Sequence, residues 1–397
     1  MKKILILHNS YKLAGGEDAV VQAEADLLKN AGHRVHLVRV SNDEIQGLDR
    51  KVKTFFRAPF DPMRGKWAAS LVRSTKCDIV HVHNFFPLLT PAVHQGASDA
   101  GAAVVQTLHN FRLLCANALF LREGKICEKC LYGSRLWGVL HKCYRHSAIG
   151  SVSVTAMQEH MARPESLRYV NQFIALTESS KQKFITRGYP ANKISVKPNF
   201  CYSNEFQDIS RERRCLFVGR ISKEKGVHVL IDAWKTITDI KLDIIGDGPE
   251  RAELEHSAPS NVKFWGHMAP SEIRQQLSRT SLLIVPSVSP ESFGLVVIEA
   301  FSAGVPVLAS RIGALEELVE EGSTGTLFPP GNSTSLASSV RELFSNPEML
   351  SKMGASALNI YSQFYNPHTN LRKLEEIYDR AIVNAEQMSF DAQGKGY

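Results

Sequence analysis

The chain has no uninterrupted apolar run near the roughly 20 residues that span a bilayer, so a transmembrane helix is not expected. It has no low-complexity tract and no internal repeat, which sets aside repeat arrays and long disordered linkers. It also lacks G-x-G-x-x-G, which argues against a dehydrogenase. The start, MKKILILHNS, carries two lysines and a short apolar run but no small-residue cleavage site, and reads as a first buried strand rather than a secretory leader. Seven cysteines, an odd number, then suggest reduced thiols or a metal rather than a disulfide framework, in a cytoplasmic protein.

What is present is an ordinary globular composition, 44% apolar and 22% charged, over 397 residues. That length exceeds one ordinary core and fits two domains. Short β-rich runs alternate with helical patterns: KILILH, RVHLVRV, DIVHVH, AAVVQTL, FIALT and ISVKP in the first half, then RCLFVG, LDIIG, VKFWG, LLIVPS, PVLAS and GTLFP. Most are continuous apolar runs, as parallel strands covered on both faces require. The expectation is two doubly wound α/β domains, residues 1–200 and 201–365, joined near KPNFCYSNEFQDISRERR. Residues 366–397 read as a helix with Leu371, Leu374, Ile377, Tyr378 and Ile382 on one face, followed by a disordered tail.

In open α/β sheets ligands bind beyond the carboxyl ends of the strands, so the strand-to-helix loops are the places to look. In the first, Gly15 and Gly16 precede a helix whose N–H groups can approach a phosphate; a plain tight turn is the alternative. His109 follows a strand end with Asn110 and Arg112 beside it, and is either structural or at the mouth of a site. Arg220 and Lys225 share one loop, a pattern that suits a diphosphate or a solvated basic turn. Gly246, Asp247 and Gly248 form the next such loop, and Gly266 ends a further strand where a nucleotide base could approach.

The stretch SPESFGLVVIEAFSAGVPVLAS places Glu291 on a loop and Glu299 in an almost wholly apolar segment. Phe293, Gly294 and Leu295 are expected to open a helix there and to offer free N–H groups to an anion, with Glu299 two turns further on. Carboxylates beside a buried run need polar partners. One can accept from sugar hydroxyls and the other from a ribose, with a diphosphate between them, which describes a nucleotide sugar.

Together these residues resemble the retaining glycosyltransferases of family 4, which have the GT-B fold: two Rossmann-like domains facing each other across a cleft. ESFGLVVIE matches the family's E-x7-E motif, GRISKEKG its phosphate-binding motif and GGEDAVVQAEADLLKNAGHRV its first helix. The resemblance implies that Glu291 contacts the donor sugar, Glu299 the ribose, and Arg220 and Lys225 the diphosphate with backbone help from Gly16. It also implies that His109 lies near the transferred sugar, that the terminal helix crosses back onto the first domain, and that transfer proceeds with retention and no catalytic metal. Uridine diphosphate is the expected carrier and guanosine diphosphate the next.

Two further features bear on partners. Residues 51–76 carry seven lysines and arginines against the single Asp61, a net of +6, interleaved with Phe55, Phe56, Phe60 and Trp67. This suits an anionic membrane surface, and a lipid-linked glycan acceptor at the inner face of the cytoplasmic membrane, better than nucleic acid; a solvated face with a few core aromatics is the alternative. A Cys-rich insert, residues 113–146, holds Cys115, Cys127, Cys130 and Cys143, which could bind a structural zinc, remain isolated thiols or, for the C-x-x-C pair, act in redox. A soluble acceptor (sucrose, inositol phosphate, a small thiol precursor) and a non-catalytic nucleotide-sugar-binding scaffold are the competing functions.

Overall fold

The computed structural model describes residues 1–11, 15–203 and 211–394. Residues 12–14 of the first glycine loop, 204–210 of the expected domain join and 395–397 of the tail lie outside the described residues. The chain divides into two compact units: Met1–Ala118, Glu128–Pro198 and Asn370–Tyr397 form one, and Leu119–Cys127 with Asn199–Thr369 the other.

Fourteen strands are found among the described residues: β1 (Lys3–Ser10), β2 (Arg34–Ser41), β3 (Ile79–Asn84), β4 (Ala103–Leu108), the hairpin β5 (Leu121–Arg122) and β6 (Lys125–Ile126), β7 (Gln172–Ala175), β8 (Ile194–Val196), β9 (Glu212–Val218), β10 (Lys241–Ile245), β11 (Val262–Gly266), β12 (Thr280–Val285), β13 (Val307–Ser310) and β14 (Gly325–Phe328). The first unit holds a parallel sheet ordered β2-β1-β3-β4-β7-β8 and the second one ordered β11-β10-β9-β12-β13-β14. Both are doubly wound Rossmann-like sheets, in keeping with the sequence expectation. Every residue of β3, β4, β7 and β13 is buried, which is why they are mostly apolar and why the polar residues among them, such as His81 and His83, are interior. The outermost strands β2 and β11 are instead partly exposed, as sheet edges must be.

The order of strands reverses between β1 and β3 in the first sheet and between β9 and β12 in the second. Loops leaving adjacent strands there diverge to opposite faces and open a crevice at the carboxyl ends.

The helix Gly16–Asn30 buries Val20, Val21, Glu24, Ala25, Leu27 and Leu28. The last helix, Pro367–Gly394, places Leu374, Ile377, Tyr378 and Ala381 in the first unit's core with Ile4, Ile6, Val21, Leu28 and Val105. Its backbone stays helical through the first residues of the segment expected to be a disordered tail. The second unit closes around Trp234, whose indole N–H donates to the Ile240 carbonyl at 3.0 Å.

Candidate active site

In the second unit the reversal point is flanked by the loops after β9 and β12, and these carry Arg220, Lys225 and Glu291. A short 3₁₀ turn, Lys223–Lys225, is closed by Gly226 in the left-handed region at φ 71°. A Cβ on Gly226 would stand 2.0 Å from the Pro286 carbonyl oxygen, so only glycine lets the two loops meet. The Val288 N–H donates to the Glu224 carbonyl at 2.9 Å and fixes that contact. With the loops so joined, the Lys225 ammonium lies 2.9 Å from Glu291 Oε1, and the Ser287 hydroxyl donates to the same oxygen.

Arg220 is mostly exposed; it pairs with Glu224 and donates to Ser222 at 3.2 Å. Each of the two expected phosphate cations thus has a carboxylate partner, Glu224 for one and Glu291 for the other. Glu224 and Ser222 were not anticipated from the sequence.

The loop after β10 is stitched to both neighbours. The Gly246 N–H donates to the Gly266 carbonyl at 2.8 Å, and the Ile221 N–H to the Asp247 carbonyl at 2.9 Å. Gly246 has φ 136°, and a Cβ on it would lie 1.9 Å from the Gly219 oxygen. The Gly266 carbonyl is thereby committed within the protein.

The helix after β12 begins at Leu295 rather than at Phe293. Gly294, with φ −153° and ψ 75°, is its cap, and Phe293 packs inward with its ring 6.4 Å from that of Tyr365. Glu299 therefore sits little more than one turn into the helix. Burial pushes its carboxyl up to about 7, and the nearby Arg274 charge offsets only part of that.

In the first unit His109 stands immediately past β4, and its Nε2 lies 2.8 Å from His83 Nδ1. His83 Nε2 lies 3.3 Å from Glu24 Oε1, and His81 Nδ1 lies 3.2 Å from the same oxygen. The other carboxylate oxygen accepts from Lys197 Nζ at 2.8 Å, and Lys197 donates in turn to Asn370 Oδ1 at 3.0 Å. His81 also meets the Tyr378 hydroxyl at 2.9 Å and Thr107 at 2.7 Å. Burial alone would raise the Glu24 carboxyl, but the Lys197 ammonium and both imidazoles hold it well below the usual range. Burial, then the neighbouring imidazoles, lowers His83 to about 3 and His109 well below its ordinary value, so both rings are neutral.

Glu24, His81 and His83 form a trio whose ligand atoms all fall within 4.8 Å of one another. Lys197 already neutralises that carboxylate, so a dication here would face a buried ammonium, and the set reads as a buried, charge-compensated cluster.

Beside it, Gly15 caps the helix Gly16–Asn30, with Asp18 accepting from its N–H at 3.0 Å. Among the described residues, a Cβ on Gly15 would meet nothing within 4 Å. Tyr11 donates to Glu17 at 3.1 Å, Asn110 reaches the same carboxylate at 3.4 Å, and burial pushes Glu17 up to about 7. The Arg112 guanidinium lies 5.5 Å from the rings of both Phe86 and Tyr144.

Cys115, Cys130 and Cys143 fall in the first unit and Cys127 in the second. Cys115 donates to Asn117 Oδ1 at 3.0 Å.

The basic aromatic segment forms two helices, Gly47–Arg57 and Pro62–Thr75. Phe56 and Val52 are exposed, whereas Phe60 packs against His160 with ring centroids 4.5 Å apart. The Ser153 hydroxyl donates to the Phe55 carbonyl at 2.8 Å, which ties the first of these helices to Ala148–Met161 with its exposed Ile149 and Val152. Leu136 and Leu140 are also exposed, at 67% and 66%, on the helix Leu136–Leu140 that packs on Ala148–Met161. No helix among the described residues is long and apolar enough to cross a membrane.

Residues 14–201 match the family model "Glycosyltransferase Family 4" and residues 203–359 match "Glycosyl transferases group 1". The N-acetyl-alpha-D-glucosaminyl L-malate synthase of Bacillus anthracis is 30% identical over 395 residues, spanning 91% of this chain and 93% of that protein. The lipopolysaccharide 1,2-N-acetylglucosaminetransferase of Salmonella typhimurium is 31% identical over 194 residues, 42% of this chain and 51% of that protein. Several other curated relatives are matched over less than two thirds of their length, from 28% to 62%. Among solved structures, Anabaena Alr3699/HepE in complex with UDP-glucose superposes with a TM-score of 0.66 at 22% identity, covering 96% of this chain and 100% of that one, a likeness of fold. With two Rossmann-like units and a near full-length relative at this identity, the chain belongs to the family 4 glycosyltransferases.

Proposed function

We propose that the protein transfers a sugar from a nucleotide-diphosphate sugar, with retention of anomeric configuration, to a lipid-linked or cell-surface glycan. The observation that carries this reading is the Lys225–Glu291 pair at the reversal point of the second sheet, with Arg220 on the same loop. Lys225 and Arg220 take the diphosphate, Glu291 accepts from hydroxyls of the sugar, Glu299 accepts from the ribose, and His109 contacts the sugar being moved. The bond from the anomeric carbon to the diphosphate breaks while the acceptor oxygen bonds to the same face, and the acceptor proton passes to the departing phosphate oxygen. Positive charge on that oxygen's neighbours is what such a transition state needs, and two fixed cations supply it without a metal. A uridine carrier is the first choice, since HepE is a complex with UDP-glucose.

The test is a thermal-shift panel of uridine and guanosine diphosphates and their sugars at two pH values. Because Glu299 titrates near 7, a diol that donates to its carboxylate binds about tenfold more tightly at pH 8 than at pH 6. In Glu299→Gln that pH dependence is expected to vanish. In the unliganded protein the sign is opposite: the folded chain keeps a proton that the unfolded chain releases, so stability present below about pH 4.5 is lost as pH rises through 7. No shift with any nucleotide at either pH would rule the reading out.

For the acceptor, exposed Val52, Phe56, Ile149, Val152, Leu136 and Leu140 among lysines and arginines favour a peripheral site on an anionic membrane. Flotation with vesicles containing phosphatidylglycerol should carry the protein. Replacing Phe56, Leu136 and Leu140 by serine should cut the bound fraction by about tenfold or more, since each buried apolar side chain contributes about 1.5–3 kcal/mol. The B. anthracis relative, by its name a malate-linked product synthase, favours a small soluble acceptor instead, and absence of flotation would move the assignment to that class.

A further inference from the structure

His109 is joined to a carboxylate through another ring. Glu24 is fully buried and ionised, and an ionised carboxylate only accepts hydrogen bonds. His83 Nε2 lies 3.3 Å from Glu24 Oε1; the two are not aligned as a hydrogen bond, but the field of the anion at that distance favours that ring's single proton on Nε2 over a lone pair. His83 Nδ1 is left with a lone pair and faces His109 Nε2 at 2.8 Å. His109 therefore carries its proton on Nε2 and its lone pair on Nδ1. The two rings are nearly parallel, with an interplanar angle of 21°. Lys197 and Asn370 anchor the far end, so the carboxylate cannot swing away.

We infer that Glu24 and His83 are positioning residues that fix the tautomer and the ring plane of His109, making Nδ1 a hydrogen-bond acceptor rather than a donor. The inference rests on the proposed role of His109 at the transferred sugar. Which nitrogen of an imidazole bears the proton is set by the bond the other nitrogen makes, and a wrong tautomer in an intact site can be as damaging as a missing ring. Two histidines on one strand, two residues apart, share a face of the sheet; that is how β3 brings His81 and His83 to the same carboxylate.

The test is long-range ¹H–¹⁵N correlation of the histidine rings in the full chain, with steady-state kinetics on the same samples. His109 in the native chain should show a pyrrole-type Nε2 and a pyridine-type Nδ1. His83→Leu should mix the tautomers of His109 and lower kcat about ten- to a hundredfold with little change in donor KM, as loss of an outer partner of a functional histidine does. His83→Asn, whose amide oxygen can stand where Nδ1 stood, should restore the tautomer and most of kcat. Because Glu24 variants leave Lys197 unpaired, Glu24→Leu, which removes the acceptor beside His83 Nε2, is made together with Lys197→Met, and the same mixing is expected. A protonated Nδ1 in the native chain, a tautomer unmoved in both His83→Leu and the double variant, or a shifted tautomer with unchanged kcat would overturn the inference. His109→Ala with full activity would instead overturn the role of His109 and leave the tautomer result standing, so the two failures are distinguishable.

Discussion

Lys225→Ala is expected to lower kcat by about 10²–10³-fold, the loss that follows removal of one fixed stabiliser of developing negative charge. The fold should survive. The Lys225 side chain is 33% exposed, and an ion pair of that kind contributes at most about 1 kcal/mol to stability. The effect is thus confined to the chemistry of the departing diphosphate. Glu291→Gln separates the two halves of the pair. It removes the anion beside Lys225, so affinity for a free nucleoside diphosphate should hold or rise, while turnover falls because a neutral amide oxygen is a weaker acceptor for the sugar hydroxyls than a carboxylate. Lys225→Ala should lose both. Lys225→Arg should recover only part, since a planar fork does not replace a compact ammonium held against Glu291. Isothermal titration with the diphosphate, together with initial rates, reads both quantities. Unchanged affinity and rate in Lys225→Ala would remove this loop from the mechanism.

Much of the framework behind that prediction is visible in the sequence, because parallel strands are buried on both faces and announce themselves as apolar runs. DIVHVH, AAVVQTL and LLIVPS are strands for that reason, and Arg220, Lys225 and Glu291 follow as residues of loops after strands. What the runs do not carry is which strands are neighbours. That β9 lies beside β12, so that Lys225 meets Glu291 across 66 positions, is a fact of topology. The start of the Leu295–Ser302 helix was misplaced because the special backbone of Gly294 is not encoded by apolar pattern.

The buried network of the first unit was missed for a different reason. Glu24 falls four positions after Val20 and four before Leu28, squarely on the inward stripe of its helix, and that is the signal that exposes it. A carboxylate in such a position demands a cation, yet Lys197 is 173 positions away in a segment that reads as a plain strand end. The hairpin β5–β6, two residues a side, is too short for any periodicity to register.

That carboxylate and its cation give the largest expected effect on stability. Glu24 and the Lys197 side chain are both about 2% exposed or less, and their 2.8 Å contact is the main compensation either charge has. Breaking such a pair from one side leaves an uncompensated buried charge, so Glu24→Gln and Lys197→Met should each cost about 3–5 kcal/mol. The double variant removes both charges while keeping an amide oxygen for His81 and His83, and should cost less than either single change. Urea denaturation of the four proteins measures this as a coupling energy of at least about 2 kcal/mol, and simple additivity would show that the two groups are independent. The pH dependence has a definite sign. Glu24 is ionised far below its ordinary range in the folded chain, so its stabilisation is present above about pH 4.5 and drains away as pH falls towards its lowered value. The acid limb of the native stability curve should therefore be steeper than that of the double variant, which has no carboxylate there to protonate. Equal acid limbs would mean that acid unfolding begins elsewhere in the molecule.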